Sequence, residues 1–81
     1  MAFKLLTLAF EKDSGALKDA TSDISGFDFY QIQKLYGKKM NGEEIDELVR
    51  SLVEPGYSVS QLSIRYHEDQ ISRTYTLLEN S

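Results

Sequence analysis

Side chains able to move protons, hold a metal or attack a substrate come together at one place in this sequence, His67-Glu68-Asp69. His67 is the single histidine. A metal site draws three or four ligands from separated segments, and three consecutive residues in a polar turn point apart. The triple therefore reads as a solvated loop tip. His67 has no identifiable serine partner and no Gly-x-Ser-x-Gly turn is present, so no nucleophile and base can be paired. The chain has no cysteine, which removes thiolate ligands, disulfides and thiol chemistry together. Beyond Glu68-Asp69, paired carboxylates occur only within residues 42–54, where the electrostatics of a helix N-terminus already account for them. The expectation is a protein that is not an enzyme, with no catalytic residue, no cofactor and no metal.

Binding is the remaining class, and two kinds of residue bear on it. The basic residues are sparse: nine Lys and Arg oppose thirteen Asp and Glu, for a net charge of −4. Residues 1–40 carry six positive and five negative charges; residues 41–81 carry three positive and eight negative. Nucleic-acid binding rests on neutralising phosphates with a positive footprint, and the only basic doublet is Lys38-Lys39. A glycine-flanked basic loop of the phosphate-clamping kind holds two residues between its glycines. Here four residues separate Gly37 from Gly42, and Glu43 and Glu44 follow directly. A nucleic-acid binder using Lys34, Lys38, Lys39, Arg65 and Arg73 is thus the alternative reading.

Aromatic residues are better represented, with four Phe and five Tyr. Tyrosine is enriched at protein interfaces because its ring is apolar and its tip polar. If its segment is a helix, Tyr30 falls opposite the apolar stripe and is exposed; a strand there would move it towards the core. Tyr30 and Tyr36, with Lys38 and Lys39, are the candidate partner-binding residues. They point to a protein–protein interaction module: an adaptor, regulator or inhibitor, self-association into a homodimer included. An inhibitor of phage or mobile-element type falls within this class.

The elements that must position these residues follow from patterning. FKLLTLAF, residues 3–10, is a short continuous apolar run that suits a strand covered on both faces. Glu11 to Gly15 supply turn chemistry. In residues 16–24, Ala16, Leu17, Ala20 and Ile24 form a narrow helical stripe, weakened by Thr21-Ser22-Asp23, whose side chains compete for backbone hydrogen bonds. Over 27–40 both helix and strand fit. The helix is preferred, with Ser25 as N-cap and Phe29, Ile32, Tyr36 and Met40 on one face.

Residues 42–54 give the clearest helix. Ile45, Leu48, Val49, Leu52 and Val53 share one face, Asn41 is placed as N-cap and Glu44 closes a capping box. Asp46 and Arg50 add an i,i+4 pair worth about 0.3 kcal/mol. Residues 57–80 alternate as a β-hairpin, with Tyr66 opposite Ile71 and Leu62 opposite Tyr75. That register sets Arg73 opposite Ile64, on the apolar face. A helix-turn-helix laid on the same segment puts His67 where the turn wants glycine. It also puts Arg73 where an apolar anchor belongs, so the hairpin is preferred.

Eighty-one residues, 41% hydrophobic and 27% charged, suit one folded domain spanning 1–81 that buries about 60% of its unfolded surface. No stretch is long enough to span a bilayer, and the apolar N-terminus runs into Glu11, Lys12 and Asp13 without a signal-type cleavage site. The absence of cysteine points to the cytoplasm, with no membrane partner. The expected fold is α+β: a three-stranded, mainly antiparallel sheet, made of the N-terminal strand and the C-terminal hairpin, packed by two or three helices.

Overall fold

The structure, a computed structural model, describes residues 3–80. Met1, Ala2 and Ser81, part of the expected 1–81 domain, lie outside the described residues. Six elements follow in order: β1 (Phe3–Glu11), β2 (Leu17–Ser22), α1 (Tyr30–Gln33), α2 (Gly42–Val53), β3 (Tyr57–Tyr66) and β4 (Gln70–Glu79). The strands form one sheet in the order β2-β1-β4-β3, with every neighbour antiparallel. The expected α+β fold, three-stranded with two or three helices, is corrected among the described residues to a mainly-β one: four antiparallel strands and two helices, one of them a single turn.

Helical packing falls on one face of the sheet. Leu6, Leu8 and Phe10 of β1, Leu17 of β2, and Tyr75 and Leu77 of β4 bury against Ile45, Val49 and Val53 of α2 and Ile32 of α1. Each fully buried leucine here contributes about 2 kcal/mol relative to an exposed one. The opposite face is small and polar at its centre, with the larger Phe3, Leu5 and Leu78 towards one end. Across it Thr7 stands between Thr21 and Thr74, and its hydroxyl lies 3.1 Å from that of Thr74.

The fourth strand comes from residues 16–24, where a narrow helical stripe weakened by its polar run was expected; the segment instead forms β2. Side chains that compete with a helix serve a sheet well. The Ser22 hydroxyl donates to the Leu5 carbonyl at 2.7 Å, and the Leu5 N–H donates to the Asp23 carboxylate at 2.7 Å. Two side chains thereby extend the β1–β2 ladder past its backbone pairs. Leu17 and Ala20 keep the core face apolar. The turn before β2 closes on Gly15, whose φ of 76° suits glycine.

The helix expected over 27–40 shrinks to Tyr30–Gln33. Ser25 is not its cap; Asp28 accepts from the Tyr30 N–H instead, at 3.1 Å. Beyond Lys34 the chain tightens into i→i+3 bonds, Leu35 N–H to Ile32 and Tyr36 N–H to Gln33. Gly37 then turns left-handed at φ 89°. Its N–H donates to the Leu17 carbonyl, and the Leu17 N–H donates to that of Lys38. Tertiary pairing with β2 wins over a short helix, which is marginal alone.

Helix α2 forms where its pattern predicts. Asn41 and Glu44 close a reciprocal capping box, each bond 2.9 Å. The β3–β4 hairpin pairs Leu62 with Tyr75, Ile64 with Arg73 and Tyr66 with Ile71. A bulge between Val59 and Gln61 shifts the register nearer the start of β3.

Candidate functional site

Arg73 on the apolar face is explained by what α2 holds over it. The guanidinium donates through Nη2 to Asp46 Oδ1 at 3.1 Å and through Nε to the Tyr75 hydroxyl at 3.1 Å. The Tyr75 hydroxyl donates to the same Asp46 oxygen at 2.6 Å. The Tyr75 hydroxyl bond, then Arg73, hold the Asp46 carboxyl below its ordinary range against the opposing effect of burial. Burial, reinforced by the Asp46 carboxylate, pushes the Tyr75 phenol up to about 12. Asp46 pairs across to the sheet, not along the helix with Arg50 as its spacing suggested.

This cluster divides a cleft between α2 and β3. On one side a cavity of about 200 Å³ is lined by Met40, Gly42, Ile45, Ile64, Tyr66 and Arg73, among others. On the other a cavity of about 120 Å³ is lined by Asp46, Arg50, Val59, Leu62 and Tyr75. The strand forming the outer wall is apolar and uncovered: Tyr66 is 72% exposed, Ile64 41% and Val59 39%. Large apolar side chains aligned on one strand are less common than scattered ones and mark contact surfaces.

The backbone of β3 adds to this. Among the described residues β3 pairs only with β4, so ten residues present an outer edge with no strand beside it. Proteins blunt such edges with short strands, charges or covering segments. The opposite edge is treated that way: β2 is six residues long, carries Lys18 and Asp19, and is bridged at its start by Lys39. β3 has one charged residue, Arg65, and its bulge lies at the far end from Ile64 and Tyr66.

The four residues expected to bind a partner lie elsewhere. Tyr30 is 63% exposed, with the Lys34 ammonium 4.9 Å from its ring centre, and Tyr36 is 40% exposed. Lys34 rims a cavity of about 490 Å³ between α1 and the side of α2 bearing Leu48 and Leu52, away from β3. Lys38 and Lys39 are exposed beside the start of β2, at the other edge of the sheet. Of the arginines in the nucleic-acid reading, Arg73 is engaged by Asp46. Arg65 opposes Ser72, so it projects from the face opposite Arg73. His67, Glu68 and Asp69 are all exposed, and no group of three or more His, Asp or Glu among the described residues is placed to hold a metal.

Sequence reasoning named Tyr66 and Ile64 as hairpin residues but missed the edge they lie on. No local signal in 57–66 marks an edge, since exposed edges usually carry charge. Among the described residues, no helix is long and apolar enough to cross a membrane. Comparison with protein-family models, with curated protein sequences and with solved structures returns no match.

Proposed function

We propose that the chain is a non-catalytic protein-binding module that receives an extended segment along the outer edge of β3. One observation carries this reading. The long free edge and the exposed row Val59, Ile64 and Tyr66 coincide on one strand, while the other edge is short, charged and bridged. Strand addition draws affinity from backbone hydrogen bonds and specificity from alternate side chains. An added strand would lay every second side chain beside Ile64 and Tyr66, over the cleft that α2 closes. The cytoplasm is the proposed compartment, in keeping with a chain without cysteine.

The nucleic-acid reading gains no comparable support, since its five basic residues are divided between two faces and two edges of the sheet.

Panning a displayed library of random peptides against the chain tests the proposal. Selected peptides should show alternating apolar residues and perturb the amide signals of β3 rather than those of β2. Ile64→Lys should weaken them by at least about tenfold, the scale of an interface anchor. Peptides that instead perturb α1 or β2, or a panning that selects none, would remove the reading.

A further inference from the structure

Resting on that reading of β3, we infer that the segment it receives is β3 of a second copy of this chain. The two strands lie antiparallel about a two-fold axis at Ile64. The argument comes from register. The residues of β3 that face α2 after the bulge are Leu62, Ile64 and Tyr66, and those facing away are Ser63 and Arg65. Opposed residues in an antiparallel pair share a face, so an isologous pairing must match each set to itself.

Centring on Ile64 does this. Ile64 faces its own copy, Leu62 faces the second copy's Tyr66, and Ser63 faces its Arg65, without entering the bulge between Val59 and Gln61. Shifting the axis to Arg65 would set two arginines opposite each other, which is unfavourable. Shifting it to Ser63 would drive Tyr66 into the bulge at residue 60. A slip by one residue would place apolar side chains against polar ones. One register therefore satisfies both the apolar pattern and the charge pattern.

Charge is complementary at the ends of this pairing. Continuing past Tyr66, Glu68 at each hairpin tip comes beside Ser60 of the other copy, while Asp69 turns back towards β4, its carbonyl taking the Lys12 N–H. There Arg50 lines the cavity that Val59 and Leu62 share. Tyr66, the most exposed of the large apolar side chains, closes over Leu62 of the second copy. Aromatic anchors of this kind dominate interface energies. The axis stands normal to the sheet, so both α2 helices stay on one side and the two sheets become continuous.

Sedimentation of the full chain over a range of concentrations tests this. The expected result is a reversible dimer. Ile64→Lys, which sets two ammonium groups face to face, should leave a folded monomer by circular dichroism. Arg50→Glu should weaken the dimer and Glu68→Arg in the same chain should restore it. In a chain without native cysteine, Ile64→Cys should cross-link copies on oxidation, and Asp19→Cys on β2 should not.

A dimer that survives Ile64→Lys, or cross-links through Asp19→Cys, overturns the inference. A chain monomeric at every concentration also overturns it, and the panned peptides then separate two cases. If they perturb β3, the edge still receives a partner of another kind; if they do not, both readings fall.

Discussion

Arg73 Nη2 and Asp46 Oδ1 stand 3.1 Å apart, joining β4 to the first turns of α2. The pair resolves a conflict in the chain itself, where an arginine occupies the row that Ile71, Tyr75 and Leu77 share. Its charge is met by a carboxylate from the helix above, and the Tyr75 hydroxyl completes the triangle. The same residues fix how far α2 stands over β3, and so the shape of the cleft on either side. A partly exposed ion pair contributes little by itself; removing one partner from a hydrogen-bonded cluster costs more.

Tyr75→Phe removes one hydroxyl and two hydrogen bonds while keeping the ring in the core. The variant should lose about 1 kcal/mol in urea unfolding. Asp46→Ala should lose at least as much, because it strands both Arg73 and Tyr75. An unchanged midpoint in both would show that the triangle does not hold α2.

Alkaline pH should separate the Tyr75 phenol from the rest. Its folded pKa is raised to about 12, above its unfolded value, because burial and Asp46 favour the neutral form. The stability it contributes is present below an unfolded value of about 10 and declines as pH rises towards the folded one. Ultraviolet absorbance should show one phenol ionising near 12, absent in Tyr75→Phe. Asp46 acts at the other end. Its folded pKa is depressed, so its contribution is present above about 3.9 and is lost as pH falls through the folded value.

Ser22 and Asp23 should matter to β2 out of proportion to their exposure. Ser22→Ala with Asp23→Ala frees the Leu5 N–H at the end of the ladder and leaves the Leu5 carbonyl only the 3.4 Å bond from the Asp23 N–H. The Leu5 amide should then exchange with solvent faster, with the Leu8 amide unchanged. Equal exchange in variant and parent would contradict the role given to these side chains.

How much of this could be read beforehand depended on where the governing forces were local. The 42–54 helix and the 57–80 hairpin were legible because capping, 3.6-residue periodicity and strand alternation act within a few residues. β2 was not. Its Thr21-Ser22-Asp23 run looks like a helix breaker until Leu5, on β1, supplies the backbone groups those side chains bond. The 27–40 segment failed for a similar reason, since Gly37 and Lys38 find hydrogen-bond partners in Leu17. Tyr30 is exposed, as the helix alternative for its segment implied, but strand order is a global property. Nothing near Ile64 in sequence announces that β3 lies at an edge.

Because Tyr30 and Tyr36 lie outside the β3 surface, Tyr30→Ala and Tyr36→Ala should leave self-association unchanged in sedimentation. Weakened association in either variant would move the interface to the α1 side of the molecule.

Amide hydrogen exchange along β3 tests the central claim most directly. It is measured on the dilute chain, on the concentrated chain and with a panned peptide at saturation. Exchange within residues 62–66 should slow on concentration or on peptide binding, while residues 18–22 of β2 exchange as before. Exchange along β3 that responds to neither condition would contradict its assignment as the docking edge.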